Sequence, residues 1–172
     1  VGQPAFHGEV RIVDGKGKSV KAGEIGEIAV KGPIVMNGYW KRPDLTRQVM
    51  KSGWLHTGDL ARFDEDGFAY IVDRKKDMFI SGGENVYPAE VEKALFNHPS
   101  VLDAAVIGVT DKKWGEVGKA FIVTKEGHTI TADEIRSFLA DKLARYKIPQ
   151  YIEFIEKLPK TASGKIKKNL LR

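Results

Sequence analysis

The sequence predicts an α+β protein in which a small β-barrel-like segment precedes a compact α+β domain. Two observations predict this class. Short stretches of alternating polar and apolar residues, separated by turn residues, fill the first third of the chain. Past Asp73 the pattern changes to the order helix, strand, strand, helix, strand, or αββαβ. The boundary is expected at the charged stretch 73–77, which contains no apolar residue.

In the first segment, alternation predicts short strands, and these cover 9–13, 24–30, 61–63 and 68–72. Asp64 to Gly67 carries the turn residues of a hairpin. A short helix is expected at 44–50. Regular spacing of short strands favours a small barrel or sandwich.

In the second segment, a helix is predicted at 88–96, because Pro88 suits a first turn and Val91 and Leu95 lie four residues apart. Thr131 to Glu134 form a capping box that opens a second helix with one apolar face. Apolar or alternating runs predict strands at 101–109, 119–124 and 151–155.

Composition excludes several classes of protein. No apolar run approaches the roughly 20 residues of a membrane span, and the start resembles no signal peptide. The absence of Cys excludes disulfides, thiolate metal sites and Cys nucleophiles. The four His share no ligand spacing, so no metal site is predicted. We expect a soluble, cytoplasmic protein, and the lack of an initiator Met suggests a piece of a longer chain.

Positive charge is concentrated at the carboxyl end. Residues 145–172 contain eight Lys or Arg and two Glu, a net charge of +6 against +5 for the whole chain. Such a segment indicates either an anionic partner or a solvated tail, and charge alone favours the tail. The interleaved aromatics of a nucleic-acid stacking surface are absent there, so no nucleic-acid partner is expected.

Two clusters of polar residues in the first half of the chain suit a nucleotide. Asp59, in the stretch 53–60, offers a carboxylate that could accept hydrogen bonds from the vicinal hydroxyls of a ribose. Arg74 could donate a planar fork of hydrogen bonds to sugar or phosphate oxygens. Taken singly, an Asx-turn or a helix cap is the favoured explanation of the Asp, and a surface salt bridge is the ordinary explanation of the Arg.

Two further clusters lie in the second half. Gly82 and Gly83 stand just before a predicted helix, where they allow a ligand to approach the backbone or form a tight hairpin. Small residues around Gly164 predict a mobile loop with Lys165 at its tip. An ammonium there could neutralise charge on a phosphate in a transition state, although most Lys in basic tails are only solvated.

Familiar catalytic motifs are missing. Gly17-Lys18-Ser19 matches the end of a P-loop, but Ile12 stands where the first Gly of that motif is required. The sequence contains no dinucleotide-binding glycine motif, nucleophile elbow or zinc-protease motif. A stand-alone hydrolase or kinase therefore has no support.

Together, the clusters resemble in order and spacing the last conserved blocks of the adenylate-forming (AMP-binding) superfamily. This superfamily includes acyl-CoA and aryl-CoA synthetases, firefly-type luciferases and the adenylation domains of peptide synthetases. The resemblance covers essentially the whole chain. It is carried by the stretches 26–28, 38–43, 54–59, 72–77, 81–88 and 159–165.

The resemblance implies a two-step reaction. A carboxylate attacks the α-phosphate of ATP to give an acyl-adenylate and pyrophosphate, and the thiol of CoA then displaces AMP. In this family the residues matching Asp59 and Arg74 hold the ribose, and the lysine matching Lys165 reaches the α-phosphate and the substrate carboxylate. ATP with Mg²⁺ and CoA are thus the implied cofactor and co-substrate.

The resemblance also implies a change of conformation between the two steps. The residue matching Lys76 is the hinge about which the terminal domain swings. The glycines matching Gly82 and Gly83 border the pantetheine channel of CoA. On this basis residues 1–73 are the last β subdomain of the large AMP-binding domain, 74–77 the hinge, and 78–172 the mobile C-terminal domain of the acyl-CoA synthetase-like fold.

Other blocks of the family are absent from the sequence. The phosphate-binding loop, the Mg²⁺-coordinating Glu and the acyl pocket are expected upstream of Val1, so the missing N-terminal domain is the principal partner. The chain alone is expected to be inactive.

The leading hypothesis is the C-terminal portion of a fatty-acid or other acyl-CoA ligase, because residues 81–88 are more typical of CoA ligases than of peptide synthetases. Two alternatives stay open. One is a ligase that loads a carrier protein, and the other is a non-catalytic piece that binds nucleotide or CoA.

Overall fold

The computed structural model describes residues 2–172, which form two compact units. The first unit ends at Lys76 and the second spans Asp77–Arg172. Each contains one five-stranded sheet, and the second also contains two packed helices. This mixture confirms the predicted α+β class. None of the helices in residues 2–172 combines the length and apolar character that a membrane span requires.

The sheet of the first unit is antiparallel throughout. Its strands are β1 (Glu9–Val13), β2 (Gly26–Lys31), β3 (Met50–Lys51), β4 (Trp54–Phe63) and β5 (Ala69–Arg74). The long strand β4 pairs with β2 on one side, and with β3 and then β5 on the other. Asp59 and Arg74, the two residues predicted to bind a ribose, therefore lie on the neighbouring strands β4 and β5.

Burial in the first unit departs from strict alternation, since the neighbours Ile12 and Val13, and likewise Leu60 and Ala61, are both buried. The buried apolar side chains are Ile12, Val13, Ala29, Leu60, Ala61 and Ala69. A short helix, α1 (Pro43–Val49), begins with Pro in its first turn, and none of its residues is buried. The unit thus buries only a small set of apolar side chains.

The second unit is built around strand β9. Its strands are β6 (Phe79–Ser81), β7 (Glu84–Val86), β8 (Val101–Asp111), β9 (Gly115–Thr124) and β10 (Tyr151–Phe154). Strand β9 runs antiparallel to β8 along its length, parallel to β10, and meets β6 at one residue pair. From the first helix of this unit onwards the order is the predicted αββαβ. The β6–β7 hairpin precedes it, at the position where Gly82 and Gly83 suggested a tight hairpin as one of two interpretations.

Two helices cover one face of this sheet. Helix α2 (Pro88–Phe96) buries Val91 and Leu95 completely. Helix α3 (Ala132–Ala140) opens with the predicted capping box, in which the Thr131 hydroxyl accepts the Glu134 N–H and the Glu134 carboxylate accepts the Thr131 N–H. These helices pack on the larger of the two core clusters of the unit.

The opposite face of the second sheet has its own core. Alternate residues of β8 face opposite sides, so Ala104 and Val106 join the larger cluster while Ala105 and Ile107 join a second one. The second cluster includes Leu158 and is covered in part by residues near the carboxyl end. The basic tail of the sequence is therefore attached to a folded core.

Candidate functional site

Asp59 and Arg74 lie directly opposite each other on the paired strands β4 and β5. The Nε of Arg74 is 2.9 Å from Oδ1 of Asp59. The Asp59 side chain is 34% exposed and that of Arg74 is 55% exposed, so both are accessible to a ligand. The structure thus brings together the two residues that the sequence suggested for a ribose.

A β-bulge sets the position of Asp59. The preceding residue, Gly58, has φ = 76°, in the left-handed region that favours glycine. The Asp59 N–H donates to the Thr57 hydroxyl at 3.1 Å, and that hydroxyl donates to the carbonyl of Ile28 at 3.1 Å. The turn that carries the carboxylate is therefore tied to strand β2 by hydrogen bonds.

A buried carboxylate, Glu27, lies behind this bulge. Its Oε1 accepts the Gly58 N–H at 3.1 Å, while its Oε2 lies 3.1 Å from Nδ1 of His56 and 3.0 Å from Nζ of Lys75. Burial by itself would raise the pKa of the Glu27 carboxyl, but hydrogen bonds from Lys75 and His56 outweigh it and hold the pKa below its ordinary value. We call Glu27, His56, Gly58 and Lys75 the Glu27 cluster.

The Glu27 cluster was not predicted as part of a site. Glu27 stands in one of the stretches that carried the family resemblance, but nothing local shows that an acidic residue in an alternating strand is buried. Lys75 adds a second link, because its N–H donates to the Gly58 carbonyl at 2.8 Å. The cluster therefore joins the turn before Asp59 to the residue after Arg74.

Lys76 is the last residue of the first unit and Asp77 the first of the second. The proposed hinge, 74–77, thus spans the boundary between the two units. The hinge role of Lys76 itself stays a prediction.

Gly82 and Gly83 form the turn of the β6–β7 hairpin, with φ of 60° and 90°. A Cβ on Gly82 would lie 2.9 Å from Cε3 of Trp114, whereas a Cβ on Gly83 would meet nothing within 4 Å. The Gly82 N–H also donates to the Trp114 carbonyl at 2.9 Å. Gly82 is therefore needed for the close approach of this turn to the indole ring.

An open cavity of about 1220 Å³ adjoins that turn in the second unit. Its lining includes Gly82, Lys113, Trp114, Arg136, Arg145 and Tyr146. Aromatic faces suit a planar base, and guanidinium and ammonium groups suit phosphates. Of this lining, the sequence pointed only to Gly82, because the cations and aromatics come from separate segments of the chain.

Lys165 lies on a hydrogen-bonded hairpin. The Thr161 N–H donates to the Lys165 carbonyl at 2.8 Å, the Gly164 N–H to the Thr161 carbonyl at 2.9 Å, and the Lys165 N–H to the Thr161 hydroxyl at 3.1 Å. Within residues 2–172 the Lys165 ammonium has no hydrogen bond or ion pair. The sequence suggested a mobile loop, and the structure shows a closed turn that presents a free ammonium.

The candidate residues are divided between the units: Asp59 and Arg74 belong to the first, and Gly82, Gly83 and Lys165 to the second. Across the described part of the chain, no three His, Asp or Glu residues form a group that could hold a metal ion.

Two family models match the sequence. The AMP-binding enzyme C-terminal domain matches residues 90–165, and the AMP-binding enzyme model matches residues 1–40. The first match includes Lys165 and most of the cavity lining.

Curated relatives match almost the whole chain. A feruloyl-CoA synthase from Amycolatopsis sp is 52% identical over 171 residues, which are 99% of this chain and 35% of that protein. A 2-succinylbenzoate–CoA ligase from Bacillus cereus (strain Q1) is 50% identical over the same lengths. The chain thus spans about 35% of the length of these relatives.

Solved structures show the same fold. The o-succinylbenzoate CoA synthetase MenE from Bacillus subtilis, in complex with the acyl-adenylate OSB-AMP, has a TM-score of 0.91 at 43% identity and covers 98% of this chain and 34% of its own. ATP-bound MatB from Rhodopseudomonas palustris gives 0.93 at 39%, covering 100% and 35%. The amide bond synthetase McbA from Marinactinospora thermotolerans gives 0.90 at 40%, covering 100% and 35%.

Proposed function

The chain belongs to the adenylate-forming AMP-binding enzyme family, and we propose that it is the carboxyl-terminal portion of an ATP-dependent acyl-CoA ligase. The observation that carries the proposal is the accessible Asp59–Arg74 pair on adjacent strands. We refer below to the longer protein that contains this chain as the parent enzyme.

In the first half-reaction, Asp59 binds the ribose. An ionised carboxylate is an acceptor only, and its two oxygens match two vicinal hydroxyl donors. The Arg74 guanidinium holds one oxygen of that carboxylate and fixes its orientation. The bulge at Gly58 and the Glu27 cluster behind it hold the backbone in place while the ligand binds.

Lys165 acts on the reacting groups of the same step. As the substrate carboxylate attacks the α-phosphate, negative charge builds on the phosphorus oxygens, and a positioned ammonium stabilises that charge. Mg²⁺ would supply charge neutralisation at the phosphates of ATP; no group of three His, Asp or Glu within residues 2–172 would hold it, and we propose that its protein ligand belongs to the large domain of the parent enzyme. Pyrophosphate leaves, and the acyl group remains bonded to AMP.

In the second half-reaction, the thiol of CoA displaces AMP from the acyl group. We propose that the pantetheine arm passes the Gly82–Gly83 turn and that the nucleotide part of CoA lies in the cavity beside Trp114. The cations of the cavity, Lys113, Arg136 and Arg145, suit its phosphates. Lys76 is the proposed hinge between the arrangements used in the two steps.

The acid that the parent enzyme activates is a narrower proposal. The sequence suggested a fatty acid, whereas the relatives are named for feruloyl, 2-succinylbenzoate and, in one solved structure, anthranilate. We therefore propose an aromatic carboxylic acid as the first class to test, with fatty acids as the comparison.

The test is an assay of the parent enzyme with ATP, Mg²⁺ and ferulate, 2-succinylbenzoate, anthranilate or octanoate. We expect pyrophosphate release with at least one acid and a CoA thioester when CoA is added. The isolated chain of 172 residues should release none. Transfer of the acyl group to a carrier protein or to an amine, and not to CoA, would contradict the proposed acceptor. Turnover by the isolated chain would contradict the proposal that it needs the rest of the parent enzyme.

A further inference from the structure

Two ion pairs flank Lys165 in the sequence and tie its hairpin to the body of the second unit. Nζ of Lys160 lies 2.6 Å from Oδ2 of Asp103, and Nζ of Lys168 lies 2.7 Å from Oε1 of Glu92. We propose that Asp103 and Glu92 are positioning residues that hold the Lys165 hairpin, defined here as residues 159–168. The inference rests on the proposed role of Lys165 in adenylation.

Asp103 is held at both carboxylate oxygens. Its Oδ1 accepts the N–H of Ala104 at 3.0 Å, which leaves Oδ2 directed to Lys160. A register shift between Val101 and Asp103 interrupts the pairing of β8 with β9, and such irregularities re-aim side chains. The Asp103 side chain is 18% exposed, so its ion pair is only partly screened by water.

Glu92 connects three elements. Its Oε1 accepts the Val106 N–H on β8 at 2.8 Å and also contacts the Lys168 ammonium, while the residue itself stands on helix α2. The two side chains of the pair are 15% and 16% exposed. Removing one partner of such a pair leaves the other charge buried and uncompensated, so the pair resists separation.

Apolar packing and backbone hydrogen bonds complete the attachment. Leu158 is buried in the second core cluster of the unit, and Ile166, which follows Lys165, packs against that cluster. The Lys167 N–H donates to the Pro159 carbonyl at 2.8 Å, which closes the base of the hairpin. The backbone at Lys165 is therefore held by ion pairs to β8 and α2 and by apolar packing on the second core cluster. The ammonium of Lys165 itself has no partner within the described residues.

Exposed ion pairs often contribute little, and one pair in the same unit provides the comparison. Nζ of Lys119 lies 2.7 Å from Oε2 of Glu153, with side chains 30% and 49% exposed and no part in the Lys165 hairpin. Glu153→Gln removes a charge pair of similar length without loosening Lys165. It is the matched control.

The experiment compares the half-reactions in the parent enzyme. Pyrophosphate release without CoA measures adenylation, and thioester formation from added acyl-adenylate and CoA measures the second step. For Asp103→Asn and Glu92→Gln, we expect the adenylation rate to fall about 10- to 100-fold, the size of effect that a displacement of about 1 Å produces. The second step, which does not use Lys165, should stay within about twofold, as should both steps in Glu153→Gln.

Substitution of Lys160, the partner of Asp103, distinguishes a positioning role from a general loss of structure. Lys160→Met should lower adenylation as Asp103→Asn does, whereas Lys160→Arg keeps the ion pair and should restore most of the rate. Hydrogen exchange of peptides covering 159–168, followed by mass spectrometry, should accelerate in Asp103→Asn and not in Glu153→Gln.

Equal loss of both half-reactions in Asp103→Asn, or no change in adenylation, would overturn the proposal, and so would unchanged hydrogen exchange. A wild-type parent enzyme that releases no pyrophosphate with any acid would instead count against the proposed function. The exchange measurement would then still decide whether these ion pairs hold the hairpin.

Discussion

At the scale of single residues, Glu27 supports the turn that carries Asp59 in the proposed ribose site. It is 8% exposed and contacts three groups, His56 and Gly58 on β4 and Lys75 directly after β5. Replacement by Gln preserves the shape but removes the negative charge that pairs with the Lys75 ammonium. We expect Glu27→Gln to lower the free energy of unfolding by about 1.5–3 kcal/mol, the range for hydrogen bonds to charged groups. Urea unfolding measures this, with the exposed Glu65→Gln as a control that should change little.

The same carboxylate predicts a dependence of stability on pH. Because the pKa of Glu27 is lowered in the folded chain from its ordinary value of 4.5, its stabilising contribution is present above that value. The contribution is lost as the pH falls through the lower pKa of the folded state. Unfolding free energies measured between pH 7 and pH 3 should therefore decline less steeply in Glu27→Gln than in the wild type; parallel curves would contradict the assignment.

Lys165 gives the sharpest functional prediction at this scale. In the parent enzyme, Lys165→Ala should reduce adenylation by at least about 100-fold, as expected when a group that stabilises transition-state charge is removed. Thioester formation from supplied acyl-adenylate should be spared. Lys157→Ala, in the same basic segment but outside the hairpin, is the control. Equal loss of both half-reactions would remove Lys165 from the role proposed here.

At the scale of elements, the β6–β7 turn brings Gly82 close to the Trp114 ring, and both residues line the candidate CoA cavity. Gly82→Ala and Gly83→Ala both place a side chain at positive φ, at a cost of about 1–2 kcal/mol each. Only the Cβ at position 82 also meets the Trp114 ring. We therefore expect a larger rise in the KM for CoA with Gly82→Ala than with Gly83→Ala, measured in the parent enzyme. Equal KM values for the two variants would show that the contact with Trp114 is unimportant.

Local sequence patterns correctly predicted the elements whose ends are set by interactions between neighbouring residues. The capping box at Thr131 and the first-turn Pro88 correctly placed the starts of α3 and α2. The glycines suggested a tight hairpin as one alternative, but its strands β6 and β7 were missed because strands of three residues are too short to show alternation. Most of β4 was also missed, since its glycines and polar residues indicated a turn, whereas pairing on both sides makes them a bulged strand.

The candidate site was also predictable only in part, because contacts between distant segments leave no local sequence pattern. Asp59, Arg74 and Lys165 were identified through the spacing of family blocks. The partners that orient them were not, because Glu27 contacts His56 and Lys75 across 29 and 48 residues, and Lys160 contacts Asp103 from a different element. Such contacts depend on the strand register, which the sequence of one strand does not contain.

At the scale of the whole molecule, the chain consists of two units with separate cores and a polar boundary at Lys76 and Asp77. If residue 76 is the hinge, fixing its φ near −65° with Lys76→Pro should restrict the exchange between arrangements. We expect unequal effects, with one half-reaction reduced at least about tenfold and the other retained. Lys76→Arg, which leaves the backbone free, should keep both; stopped-flow assays of each step in the parent enzyme distinguish these outcomes.

The ion pairs of the basic segment 145–172 also affect how strongly ligand binding depends on salt concentration. Residues 145–172 carry a net charge of +6. Three of their cations (Lys147, Lys160 and Lys168) are matched by carboxylates outside the segment, and one of their acids, Glu153, is matched by Lys119 outside it, which leaves about +4 to act on a ligand at long range. Surface charges are screened within about 10 Å at 0.1 M ionic strength, but partly buried pairs are screened much less. Capture of a polyanion such as ATP or CoA should therefore weaken with added salt less than the composition of the segment implies, while the attachment of the Lys165 hairpin persists.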